Sequence, residues 1–410
     1  MAGSREINLD FLQLIVDQTD PGVKITKYET SFGSKRGDNY TSMVYRVLLY
    51  GDAGWTKSMI YKVLPKNVQA RENFKSEMLF DNEVRFYKKA HTALMEYQDS
   101  KNIRDPFVGV PKCYFAESDI IVLEDMRCKG FVMMDRLKGL DLDHCRAVLK
   151  VLGKFHGLSL SMKANEPEKF QACVSGVINE VYYKKDNELW YGGYYKHAVE
   201  SAKKILEAEL TEEDKPKYLD VFKQFVSHDS FFGYMTDLVL PKSPLDVLCH
   251  GDCWTNNFLV RYTADGDISE VSIVDFQIAR YGSPALDLTS LLYCCTTVDL
   301  RSKHLPELLQ SYYDSVISIL EQTDCMDRYP DICQKLNREF LEYGGFGLGV
   351  AMDLIPIITC ESDQAPDMYK EDTTSARPNV EASYVNTSND VYRRMIVELV
   401  KELVDNGCLK

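Results

Sequence analysis

The chain has 410 residues, 45% of them hydrophobic and 27% charged, with a net charge of −14. That length buries a large core and favours two lobes over one compact unit. The acidic balance argues against general nucleic-acid binding, which needs a basic surface to displace counterions, and there is no apolar run of about 18 residues to span a membrane.

The amino terminus, MAGSREINLDFLQLIV, is too mixed for a signal peptide. The 12 cysteines follow no zinc or disulfide spacing, so a cytoplasmic protein with reduced thiols is expected. Residues 6–18 read as a short helix closed by Asp20-Pro21-Gly22. Strands follow at 23–32, 42–50 and 57–63, with Gly51-Asp52-Ala53-Gly54 as a hairpin turn. One long helical pattern covers about 69–96, with Phe74, Met78, Leu79, Val84, Phe86 and Tyr87 as its apolar members. Two more strands, 112–115 and 120–124, complete a small antiparallel sheet carrying one helix. After Gly139 the texture turns helical. Asp141 is placed as an N-cap, and helices are expected at about 186–208, 212–227, 285–295, 303–322, 329–358 and 388–405. Residues 361–383 are polar and read as a loop. One strand island, 247–275, interrupts the helices and turns at Ala264-Asp265-Gly266-Asp267.

That island begins in DVLCHGDCWTNNFLVRY. Asn257 stands five positions after Asp252, where the next strand starts. A hairpin returns its second strand to the start of its first, so Asp275 in VSIVDFQ comes back beside Asn257. A carboxylate and an amide side by side offer hard oxygen ligands that suit Mg²⁺. Asp252, just off the metal, is placed to take a proton from a hydroxyl nucleophile. The spacing matches H-R-D-x-x-x-x-N followed by a D-F-G-like element. It selects Asn257 over Asn256, which is expected to be a loop or surface residue. His250 reads as a hydrogen-bonded holder of the loop, since no other histidine supplies paired ligand spacing.

The first lobe fits the same chemistry. Lys62 in SMIYKVLP ends the third strand, where the lysine of the α- and β-phosphates belongs. Glu77 and Glu83 on the following helix are its candidate partners; Phe80, Val84 and Tyr87 put Glu83 beside the buried stripe and favour it. SFGSKRGDNYTS is not G-x-G-x-x-G, but its glycines allow tight backbone. Ser34, Gly37 and Asn39 are its candidate phosphate contacts. The Glu124 carbonyl and the Met126 N–H in IIVLEDMRCKGF are the expected adenine contacts. Two departures from a protein kinase matter. Gln277 replaces the glycine of D-F-G, and only eleven residues separate Asp275 from Asp287, with no A-P-E element after them. That leaves no platform for a peptide, so the acceptor is small. Asp287 in PALDL is expected to brace the loop from the helix beneath it.

The pieces predict an α+β, bilobal, protein-kinase-like fold: a nucleotide-binding lobe over 1–126 and a helical lobe over 127–410 that holds the catalytic loop, metal site and acceptor pocket. With KRGDNYTSMVYRV, MIYKVLP, FDNEVRFYKK, IVLEDMRCKGF, LGKFHGLSL, HGDCWTNNFLV and IVDFQIARYGSPALDL in order, the chain resembles the insect ecdysteroid-kinase-like group of the aminoglycoside-phosphotransferase and choline-kinase-like superfamily. The resemblance implies ATP- and Mg²⁺-dependent phosphate transfer to an alcohol, an ecdysteroid, sterol-like or xenobiotic hydroxyl. It makes Asp252 the base, Asn257 and Asp275 the metal ligands, and Lys62 with Glu83 the phosphate pair. His156 in LGKFHGLSL reads as core packing. The acceptor pocket is expected from about 165–245 and the C-terminal helices. There ELWYGGYYKH is aromatic enough for a flat acceptor, though such clusters are more often core. A cationic acceptor of choline or aminoglycoside type and a non-catalytic binding protein are the competing readings.

Overall fold

The computed structural model describes residues 7–33, 41–65, 68–227, 230–360 and 389–409. Helix α1 (Leu9–Thr19) is capped by Asn8, whose side chain accepts from the Phe11 N–H. Strands β1 (Ile25–Phe32), β2 (Met43–Gly51) and β3 (Thr56–Val63) form an antiparallel meander. Strands β4 (Cys113–Glu117) and β5 (Ile120–Glu124) complete the sheet in the order β1-β2-β3-β5-β4. The alternation of β3 sorts its side chains. Met59, Tyr61 and Val63 join Leu12, Ile15 and Val16 of α1 in one small core. Lys62 faces the other way, toward the second lobe.

The segment between β3 and β4 is not the single helix its pattern predicts. Helices α2 (Val68–Asn73) and α3 (Ser76–Arg85) meet at Lys75, whose φ of 55° is left-handed. A π-turn over Phe86–His91 then leads into α4 (Thr92–Lys101). The buried face of α3 is Ser76, Leu79, Phe80, Asn82, Glu83 and Val84. Met78 falls off that face and is exposed.

The mostly helical region includes β6 (Phe131–Met133). It comprises α5 (Leu142–Asn165), α6 (Pro167–Val174), α7 (Gly193–Glu209), α8 (Lys215–Val226) and α9 (Phe231–Leu238), then β7 (Val247–Cys249), β8 (Phe258–Tyr262), β9 (Ile268–Ile273) and β10 (Arg280–Gly282). Helices α10 (Ala285–Cys295), α11 (Val298–Gln322), α12 (Ile332–Glu342), α13 (Gly344–Ile358) and α14 (Asp390–Asp405) follow. Asp141 caps α5, as expected, by accepting from the His144 N–H. Four elements went unseen in the pattern: β6 and β10, of 3 residues each, and α6 and α9, of 8 each. All are too short to show a repeat. The α7 helix was expected from about 186, but 188–192 is a π-turn. The helix expected over 329–358 is α12 and α13, bent by 50° at their junction. Glycines let α13 lie close to its neighbours: a Cβ on Gly347 would come within 2.4 Å of the Tyr293 ring. The loop expected over 361–383 lies outside the described residues. All the cysteines are free thiols, most of them buried.

Among the described residues no single helix is long and apolar enough to cross a membrane; the bent α12–α13 pair matches by composition, and its apolar side chains lie in the core. That main core is continuous from Phe80, Val84, Phe86 and Leu94 into α5, α10, α11 and α13.

Helices α5 and α11 approach so closely that a Cβ on Gly153 would lie 2.6 Å from the Tyr312 carbonyl oxygen and 2.7 Å from the Ser315 Cβ. Gly153→Ala is expected to lose about 1–3 kcal/mol through overpacking, read as a lower midpoint in urea unfolding. An unchanged midpoint would mean that the two helices separate without cost.

Candidate active site

Strand β7 delivers the His250-Gly251-Asp252 loop, and β10 pairs beside it with Arg280 opposite Cys249. Gly251 has a φ of +87°, and a Cβ there would lie 1.9 Å from the Ile278 carbonyl oxygen. Only glycine fits that turn. Asp287, in the first turn of α10, grips the loop. Its two oxygens accept the His250 N–H at 2.7 Å and the Gly251 N–H at 2.8 Å. His156 Nε2 donates to the same carboxylate at 3.1 Å, while its Nδ1 lies 2.9 Å from the Tyr312 hydroxyl. Burial acts to raise the Asp287 carboxyl, but the His156 hydrogen bond and charge outweigh it and hold the carboxyl below its ordinary range. His156 is in the core, as expected; its partner is 131 residues away in the chain, which spacing could not reveal.

His250 holds the loop from inside. Its Nδ1 accepts the Asp252 N–H at 3.1 Å, and its Nε2 lies 2.9 Å from the Val274 carbonyl oxygen, which can only accept. The ring is therefore the neutral Nε2–H tautomer, and burial lowers its pKa.

The hairpin return is as the sequence predicts. Phe258 pairs with Ile273, and the Val274 N–H reaches the Asn257 carbonyl oxygen at 2.9 Å. Asp275 follows just past the end of β9, with a left-handed φ of 69°. The Asn257 amide nitrogen donates to both the main-chain oxygen and Oδ2 of Asp252, each at 2.9 Å. Its Oδ1 remains as an acceptor. Asn256, expected in the loop or at the surface, lies in the loop's turn Thr255–Asn257, whose three residues are all buried.

From the sheet, Lys62 reaches into this cluster. Its Nζ lies 2.5 Å from Glu83 Oε2 and 2.8 Å from Asp275 Oδ1. Glu77, the other candidate, is exposed and lies 3.9 Å from Arg71. Burial would depress the Lys62 ammonium, but the charges of Asp275 and Glu83 raise its pKa instead. Burial pushes Glu83 up to about 7. Burial, with the Asp275 charge adding to it, pushes Asp252 up to about 7. Glu124 ends β5 and Met126 opens the turn Met126–Lys129. Between them the buried Asp125 accepts from Arg46 and Ser58, each at 2.6 Å. Ser34, Gly37 and Asn39 lie outside the described residues.

Several supporting residues were missed by sequence reasoning. Phe276 stacks on Phe86 with ring centroids 3.8 Å apart and meets the His250 ring edge at 4.6 Å. Asn82, next to Glu83, donates to the carbonyls of Gln277 at 3.1 Å and Ala279 at 2.9 Å, and accepts the Asn179 N–H at 2.9 Å. The Gln277 side chain takes the Thr41 hydroxyl at 2.7 Å. Gln277 thus ties the segment to the sheet at the position where protein kinases carry glycine. A polar residue on the buried stripe of α3 was the one available signal for Asn82. Arg280 is buried between Tyr183 and Phe346, with Glu180 at 3.0 Å. Within ELWYGGYYKH, Tyr195 is core, whereas Trp190, Tyr191 and Tyr194 are half-buried.

A family model described as ecdysteroid kinase-like matches residues 36–325, more than half of the chain. No curated protein matches. Among solved structures, the streptomycin-ATP-APH(2")-IIa ternary complex is similar at 12% identity with a TM-score of 0.34, over 89% of this chain and 99% of that one. The AMP-bound complex of spectinomycin phosphotransferase, APH(9)-Ia, is similar at 12% identity with a TM-score of 0.38, over 85% and 98%.

Gly251 and Gly266 both have positive φ, but a Cβ on Gly266 would meet nothing within 4 Å. Gly266→Ala is expected to cost about 1 kcal/mol of left-handed strain. Gly251→Ala should cost more in urea unfolding and also displace the loop, with activity falling at least tenfold in the folded fraction. Equal effects of the two substitutions would contradict the close approach to Ile278.

Proposed function

The chain belongs to the ecdysteroid kinase-like family, and we propose that, with Mg²⁺, it moves the γ-phosphoryl group of ATP onto a hydroxyl of a flat, ecdysteroid- or sterol-like acceptor. It is an ATP-dependent phosphotransferase acting on a small molecule; the proposal concerns the acceptor, the metal and the residue roles. The observation that carries it is one connected polar cluster. Glu83, Lys62 and Asp275 are linked at 2.5 and 2.8 Å, and Asn257 and Asp252 at 2.9 Å, with the Asn257 main chain bonded to the strand end that bears Asp275.

The donor set fits Mg²⁺. Asn257 Oδ1 and the Asp275 carboxylate are hard oxygens, and the rest of the shell falls to water and phosphate. When bound, Mg²⁺ neutralises phosphate charge and aligns the transferring group. The chain's own residues do the rest. Lys62, kept charged by Asp275 and Glu83, is assigned to the α- and β-phosphates. The Glu124 carbonyl and the Met126 N–H are assigned to the adenine edge. Asp252 is aimed by the Asn257 amide, and its carboxylate takes the proton of the attacking hydroxyl. The short path from Asp275 to Asp287, which leads directly into α10, supports a small acceptor over a peptide.

Labelled ATP with a panel of an ecdysteroid, a mono-hydroxysterol, choline and an aminoglycoside tests the acceptor; transfer to the steroid alcohols and not to the cations is expected. Asp252→Asn should lower kcat at least about 100-fold while calorimetry shows unchanged Mg-ATP binding. Full turnover in that variant would remove Asp252 as the base.

The pH dependence has a defined sign. The base works as a carboxylate, and Asp252 is pushed up to about 7. kcat/KM should therefore rise with pH, by about tenfold per unit on the acid side, and level off near that value. A profile flat down to pH about 5 would contradict the role given to this carboxyl.

A further inference from the structure

Beside the catalytic loop lies an aromatic ladder. Tyr182 stacks near Trp190 at 5.9 Å, Trp190 on Tyr191 at 5.2 Å, and Tyr191 on Tyr194 at 5.7 Å. The four rings are half-buried, unlike Tyr183 and Tyr195 behind them, whose hydroxyls pair with each other at 3.0 Å in the core. Polar contacts tie the start of the ladder to β10. Asn187 donates to the carbonyls of Val181 and Tyr182, each at 2.7 Å. Glu180 accepts the Tyr182 and Tyr183 N–H groups at 2.9 Å. The same Glu180 lies 3.0 Å from Arg280 on β10, which pairs with β7.

At the far end of the ladder sits Asp353, in the middle of α13. The Tyr191 hydroxyl donates to its Oδ2, and Tyr194 bonds it as well. It is two helical turns from Phe346, on the side of α13 that packs on Tyr183 at 5.5 Å. Among the described residues no lysine, arginine or histidine lies within ion-pair distance of it. A half-buried carboxylate oriented by tyrosine hydroxyls keeps lone pairs for a further donor. Burial, with the charges of Asp252, Asp353 and Asp275 adding to it, raises the Tyr182 hydroxyl well above its usual range.

We propose that Asp353, held by Tyr191 and Tyr194, is the polar anchor of the acceptor site and accepts a hydrogen bond from a second hydroxyl of the acceptor, remote from the one that is phosphorylated. Tyr182 and Trp190 form the apolar wall between that anchor and Asp252. The inference rests on the phosphotransferase reading given above and adds to it the residue that would hold the far end of the acceptor. A cation fits less well. The rings turn their faces to one another, at interplanar angles of 12 to 29°, and the Lys75 ammonium already lies 5.2 Å over Trp190.

The test uses the full chain, three probes and two readouts. The probes are an ecdysteroid polyol, a mono-hydroxysterol and choline. The readouts are steady-state kinetics and Trp190 fluorescence, with Trp190→Phe identifying the signal among the 3 tryptophans. Asp353→Asn should raise KM for the polyol about tenfold, the loss of one charge-assisted hydrogen bond. KM for the mono-hydroxysterol and for ATP should not change. Equal losses for both alcohols, no loss, or a stronger response to choline than to the polyol would overturn the anchor. A fluorescence response to the polyol that weakens in Asp353→Asn, without phosphate transfer, would sink the catalytic proposal and leave the anchor standing. Phosphate transfer with the same polyol KM in both proteins would do the reverse.

Discussion

The site depends on one buried carboxylate, that of Asp287. A charge in the core is unfavourable unless hydrogen bonds replace the lost water. Asp287 has three donors: two successive main-chain N–H groups of the loop and the His156 ring. Because those N–H groups belong to His250 and Gly251, satisfying the charge also fixes the loop. The turn so formed requires a left-handed glycine pressed against Ile278, and it leaves Asp252 where Asn257 can orient it. Removing the carboxylate would orphan two buried N–H groups at once, so the brace and the loop stand or fall together.

A second constraint joins the lobes. Lys62 comes from the sheet, Glu83 from α3 and Asp275 from the end of β9, and the ammonium sits between the two carboxylates. Apolar packing runs parallel to it: Phe276, next to Asp275, lies flat on Phe86, from the π-turn after α3, and edge-on to His250. Asn82 and the Thr41–Gln277 bond pin the main chain between them. The D-F-Q segment is thus held from the sheet, from α3 and from the loop. This is a stiffer arrangement than a glycine at position 277 would give, since Gly has no side chain to reach Thr41.

Much of this was legible in the chain. Lys62 stood at the end of the third strand, and the stripe on α3 distinguished Glu83 from Glu77. The count from Asp252 and the hairpin return brought Asn257 and Asp275 together. These are local or nearly local relations, governed by the periods of strand and helix and by the geometry of a short turn. Elements of three to eight residues, such as β6, β10, α6 and α9, carry too few repeats to register. The breaks at Lys75 and Tyr343 were hidden because residues that fit a helix stand on both sides of each.

The sequence by itself determined the two-lobe α+β plan, the antiparallel character of the small sheet and the identity of the charged cluster, because periodicity and motif spacing are properties of the chain. Only the tertiary structure decided what supports that cluster. His156 meets Asp287, Asn82 meets Gln277 and Asn179, and Asp353 meets Tyr191 across separations of 131, 195, 97 and 162 residues. It likewise turned Asn256 inward. Such partners are chosen by how helices and strands pack against one another. A buried polar side chain must find a hydrogen bond wherever packing places it, and nothing in its local sequence says where that will be.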